Sequence, residues 1–157
     1  MKKETYELFK SNTIENILEV IDTELESRNE SPMWTVKVTP FSRAILSVLV
    51  PLRDANMLFT PEGKEVSELT PDLFLEWSDL VSLKMLAFTI QKSNVAGELL
   101  RTSLDSSKCK EYKEISLKDL GDYLSSNSVN LEDEAQDFPI SNYNLHQGVS
   151  NVIKSLF

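Results

Sequence analysis

The chain has 157 residues, 41% of them hydrophobic and 26% charged, which suits one domain with a packed core. Its formal net charge of -9 sets the average field against phosphate backbones and anionic lipid surfaces, so nucleic acid is not expected as the main ligand. Four glycines and six prolines are too few for the repeated hairpins of a many-stranded chain, and the expectation is an all-α fold, residues 1–157 forming a single compact domain of about six to eight helices. The lone cysteine, Cys109, can form no internal disulfide and suits a reducing compartment. No stretch reads as the roughly 18 apolar residues of a membrane span, the longest being interrupted by Ser47, Pro51, Arg53 and Asp54, and direct membrane contact is not expected. The first ten residues carry no signal-peptide pattern.

In chain order, a short helical turn is compatible with Thr5 to Lys10. The first clear helix is expected from about Thr13 to Ser27, where Ile14, Ile17, Leu18, Ile21 and Leu25 recur on one face and glutamates and Asp22 fill the rest. Asn12 or Thr13 can cap its start, and the polar run Arg28 to Pro32 ends it. Met33-Trp34 reads as an irregular lead into a second helix that Thr39-Pro40 announces as cap and first helical residue. Its apolar stripe is Phe41, Ala44, Ile45, Val48, Leu49 and Leu52, and Pro51 predicts a kink near Ser47.

Thr60-Pro61 and Thr70-Pro71 repeat the cap-and-proline form, the second being the stronger start, with Leu73, Phe74 and Trp77 behind it. Ser78 or Asp79 is expected to begin a helix carrying Leu80 to Ile90, and Asn94 to Leu104 predicts a shorter one. Ser116 is expected to cap a helix through Leu117, Leu120, Tyr123 and Leu124, with Asp119 completing a shortened capping box. Leu131 to Phe138 predicts another short helix. The last is expected from Asn142 to the chain end through Leu145, Val149, Val152, Ile153 and Leu156. Phe157 follows without a stop signal, as expected of a segment taken from a longer chain.

Neither a GxxxxGK[ST] loop nor GxGxxG occurs, so no backbone cradle for a nucleotide phosphate is expected. His146 is the only histidine, which excludes multi-histidine metal sites, and Cys109 lacks a second thiol at ligand spacing. No catalytic residue, cofactor or metal is assigned, and His146 reads as a helix-surface or helix-end residue. The acidic run Glu132, Asp133, Glu134 and Asp137 reads as a solvated face, with a site for a basic partner as the sharper alternative. Trp77 reads as core, whereas Trp34 divides evenly between core anchor and interface residue. The protein-binding candidates are therefore Trp34, Glu132, Asp133, Glu134 and Asp137.

Five features in order carry a resemblance: Met33-Trp34, then Phe41 to Leu49, then Val50-Pro51-Leu52-Arg53-Asp54, then Tyr123-Leu124 before a loop, then Leu145-His146-Gln147-Gly148. Together they resemble the all-α domain inserted into the nucleotide-binding domain of type IV secretion and conjugation coupling ATPases, of the TraG, TraD, DotL and Cag-beta kind. The resemblance spans residues 33–157 and departs from the pattern in the Thr60 to Pro71 segment and in lacking a glycine-proline turn after Tyr123. It implies a hexameric inner-membrane parent whose phosphate loop lies elsewhere, and a cytoplasmic insert at the inner face of the bacterial inner membrane. It further implies a non-catalytic role in receiving a secretion substrate, adaptor or chaperone. Two other readings are a stand-alone acidic helical adaptor or chaperone and a DNA-binding helical domain. The charge of -9 and the lack of a basic groove with interleaved aromatics weigh against the latter.

Overall fold

The computed structural model describes residues 3–29, 32–90, 115–127 and 140–157. Seven helices are found there: α1 (Lys3–Ser11), α2 (Ile14–Ser27), α3 (Pro32–Asp54), α4 (Pro71–Glu76), α5 (Leu80–Ile90), α6 (Lys118–Ser126) and α7 (Ile140–Leu156). The fold is all-α, and the described residues contain no strand, only an isolated antiparallel bridge between Phe59 and Glu65. The helices expected at Asn94 to Leu104 and Leu131 to Phe138 lie outside the described residues.

Several helix starts follow from the residues that precede them. Thr13 and Thr70 sit in extended backbone and accept the amides of Asn16 and Leu73 at 3.2 and 3.1 Å, each satisfying a donor that the helix itself leaves free. Asp79 does the same for α5, accepting the Ser82 amide at 3.3 Å. The Ser116 cap is displaced: α6 begins at Lys118 after Leu117, which supplies no side-chain bond, and the Ser116 hydroxyl instead accepts the Lys118 amide at 3.3 Å. Thr60-Pro61 opens no helix. The chain folds back there, Gly63 donating to the Thr60 carbonyl and Thr60 to that of Lys64, so the threonine serves a turn.

The largest correction concerns α3, which begins at Pro32 rather than at Pro40. The buried stripe extends about one turn back from Phe41 to Val38, and Trp34, about one turn further, packs against the same core, so tertiary contact carries the helix through the proline. Pro40 deprives the Val36 carbonyl of its helical donor, but both residues face solvent, where water can replace that bond. Thr39 is no cap; its hydroxyl donates to Asp22 on α2 at 2.6 Å. At 23 residues α3 is long and apolar enough to cross a membrane, unlike the interrupted stretch expected from sequence. In this fold 59% of its apolar window is buried.

One continuous cluster of buried side chains draws on all seven helices, with α3 as its axis against α2, α6 and α7. Phe9 of α1 meets Phe74 of α4 and Phe157 edge-on, both ring centroids at 5.6 Å. Trp77 is fully buried, as expected, and its indole donates to the Phe59 carbonyl at 3.1 Å. Arg53, in the Leu52-Arg53-Asp54 step, reaches from the end of α3 to the Phe9 carbonyl at 2.9 Å and so satisfies an acceptor in the last turn of α1.

Candidate functional site

The N-terminal half of α3 carries two faces. Trp34 and Val38 turn toward the core, whereas Met33, Val36 and Pro40, spaced by three and four residues, turn outward. Met33 is 51% exposed and Val36 69%; on α7, Leu145 is 38% exposed. A groove of about 340 Å³ lies between α3, α6 and α7, with Val36, Pro40 and Leu145 on its walls and Tyr123, His146 and Val149 at its base. Lys37, Ser126 and Asn127 complete the rim.

His146 fixes the base of this groove. Contrary to the surface placement expected from sequence, it is 2% exposed. Its Nε2 lies 2.6 Å from the Ser78 carbonyl, which can only accept, so Nε2 carries the ring proton and Nδ1 is bare. The Tyr123 hydroxyl then donates to Nδ1 at 2.7 Å, and the Phe41 ring covers one face with centroids 4.7 Å apart. One imidazole thus joins α7 to α6, to the α4–α5 turn and to the core of α3. Its position was legible: 146, 149, 150 and 153 recur at helical spacing, and Val149, Ser150 and Ile153 are all buried.

Burial holds the His146 imidazole below its ordinary value of 6.5, with the Ser78 carbonyl and the nearby Asp79 carboxylate opposing that shift. Burial also raises the Tyr123 phenol above its ordinary value, so both groups are neutral at pH 7. The unfolded chain therefore binds the additional proton first, and this contribution to stability is complete above about 6.5 and is lost as pH falls from there through the lower folded value. Urea unfolding from pH 7.5 to pH 5 is expected to show a steeper decline in the wild type than in His146→Leu. Parallel curves would rule out the titration of this ring.

Trp34 of α3 is half-buried and packs its indole against α7, where Gly148 makes the approach possible. A Cβ built on Gly148 would fall 2.4 Å from the indole Cη2 and 2.8 Å from Cζ3. Gly148→Ala must therefore push the indole aside and is expected to cost about 1–3 kcal/mol, with a shift in tryptophan emission. Gly121 offers the opposite case. Nothing lies within 4 Å of its added Cβ, so Gly121→Ala in α6 is expected to stabilise by up to about 1 kcal/mol.

Of the residues proposed from sequence, Trp34 is thus placed as an anchor between α3 and α7, beside the groove rather than in its lining. Glu132, Asp133, Glu134 and Asp137 lie outside the described residues, as does Cys109. One acidic surface among the described residues is on α2, where Glu15, Glu19, Asp22 and Glu26 line a recess with Thr39 and Arg43. Arg43 grips Glu15 with both terminal nitrogens, at 2.6 and 3.2 Å, and lowers the affinity of that carboxylate for a proton. Among the described residues no group of three or more His, Cys, Asp or Glu side chains is arranged to hold a metal ion. Leu145, expected on the apolar face of the last helix, is an exposed wall instead, and Val36 was not singled out by sequence, although the outward spacing of Met33, Val36 and Pro40 was available.

The class these observations define is an all-α fold with a groove of mixed polar and apolar lining between three helices. No protein-family model, curated protein or solved structure matches the chain.

Proposed function

We propose that this chain is a non-catalytic protein-docking domain that recruits a secretion substrate, adaptor or chaperone to a type IV coupling motor. The observation that carries the docking reading is the outward apolar wall of Met33, Val36 and Leu145 beside a groove whose base is tied together by the hydrogen bond between buried His146 and half-buried Tyr123. Apolar side chains left in solvent beside a groove favour burial by a partner. The acidic balance suits a protein partner better than a phosphate backbone. The coupling-protein assignment is supported by the ordered motifs from Met33-Trp34 to Leu145-His146-Gln147-Gly148. In that setting ATP hydrolysis belongs to the parent chain at the cytoplasmic face of the membrane, and this domain supplies recognition.

The test is quantitative recovery of partners with the 157-residue chain as bait. Wild-type bait is expected to retain a secretion substrate, adaptor or chaperone, and the Val36→Asp/Leu145→Asp double variant to retain at least about tenfold less, since charge in an apolar contact is strongly disfavoured. Equal recovery by the two baits would place the docking surface elsewhere, and recovery of no secretion component would remove the coupling-protein assignment.

A further inference from the structure

Resting on the docking reading above, we infer the chemistry of the occupant: a short amphipathic segment of a partner protein, apolar at one end and rich in lysine or arginine at the other. The groove does not end at Pro40. A second recess of about 270 Å³ shares Pro40, Tyr123 and Ser126 with it and adds Arg43, Asp119 and Asp122. A third, of about 400 Å³, shares Arg43 and opens onto the acidic face of α2. Val36, Pro40 and Arg43 follow one another at helical spacing, so a single stripe of α3 runs beneath all three over roughly 10 Å.

Along this stripe the character of the surface reverses. At the Val36 end the walls are apolar and Lys37 is the charged group. Beyond Arg43 the carboxylates of α2 prevail. Arg43 offsets only one of them, because Glu15 engages its guanidinium, and Asp22 accepts the Thr39 hydroxyl. Glu19 and Glu26 line the same recess and have no ion-pair partner among the described residues. A wholly apolar segment would leave these carboxylates desolvated without compensation, and an anionic one would be repelled. A segment of about six to ten residues with apolar anchors over Val36 and Leu145 and cations over Glu19 and Glu26 satisfies both ends.

The experiment selects 12-residue peptides from a random displayed library on the full chain, with counter-selection on Val36→Asp. Enriched sequences are expected to pair apolar anchors with adjacent lysine or arginine. A synthetic peptide of the consensus should bind the wild type at least about tenfold more tightly than either Val36→Asp or Glu19→Lys/Glu26→Lys, and the second difference should shrink in about 1 M salt. All these positions are at the surface, and unchanged helical circular dichroism and thermal midpoints confirm that each variant is folded. Binders that depend on Val36 but are neutral or acidic, or that ignore Glu19→Lys/Glu26→Lys, overturn the assigned occupant while leaving the docking reading in place. A library yielding no Val36-dependent binder also overturns it, and the bait comparison with whole proteins then judges the docking reading separately.

Discussion

Replacing Trp77 by alanine is expected to destabilise the domain by about 3–5 kcal/mol, the range for deleting a large buried aromatic ring. Trp77 is fully buried and packs edge-on against Phe59, with centroids 5.6 Å apart and planes at 89°. Its indole also holds the Phe59 carbonyl, and so ties the turn around Phe59 and Glu65 to the end of α4. Trp77→Phe retains most of the packing and loses the hydrogen bond, with an expected cost of about 1–2 kcal/mol. Urea unfolding followed by circular dichroism distinguishes the two. A cost below about 1 kcal/mol for Trp77→Ala would mean that the ring is not part of the cooperative core.

The second large effect is expected at His146. His146→Leu keeps an apolar side chain of similar reach but leaves the Tyr123 hydroxyl and the Ser78 carbonyl without the ring nitrogens that satisfy them, at about 2–4 kcal/mol in total. Tyr123→Phe removes only the donor to Nδ1 and is expected to cost about 1–2 kcal/mol. The double variant should cost less than the sum of the two, because the half-buried hydroxyl left unpaired by the first change is removed by the second. A coupling of at least about 0.5 kcal/mol in unfolding free energy supports the bonded pair, and strict additivity contradicts it. The consequence reaches function, because both side chains form the groove base. His146→Leu should therefore weaken docking even at temperatures where the domain remains folded.

The all-helical class was legible because it rests on periodicity, which burial enforces along whole segments. α2 matches its expected face, with Ile17, Leu18, Ile21 and Leu25 buried and Thr13 capping, and Trp77 lies in the core as its spacing indicated. Errors arose where a local signal competed with packing. Thr39-Pro40 has the form of a helix start, yet the contacts of Trp34 and Val38 continue α3 through it, and the lost backbone bond falls on an exposed turn where it costs little. His146 was misread for a different reason. Its helical spacing with Val149 and Ile153 marks the buried face, but a histidine alone suggests a polar surface, and the partners of its ring nitrogens, Tyr123 and Ser78, meet it only in the fold.

The candidate site was less legible than the fold. Trp34 drew notice for its residue type, but its contact with Gly148 depends on how α3 crosses α7. Val36 and Leu145 are distant in sequence and line one groove only in the fold, so their juxtaposition is not marked by either segment alone. The acidic surface that flanks the groove was likewise visible as the polar side of α2, while its alignment with the exposed end of α3 required Arg43 and Thr39 to join the two helices.

Site-specific crosslinking tests the central claim most directly. A photo-reactive amino acid is placed at Val36 in the groove wall and, in a separate chain, at Val81, which is 51% exposed on α5 and does not line the groove. After irradiation in the native cell, the Val36 position is expected to yield a discrete adduct with a secretion substrate, adaptor or chaperone that the Val81 position does not give. Absence of any adduct at Val36, or the same adducts from both positions, would contradict docking at this groove.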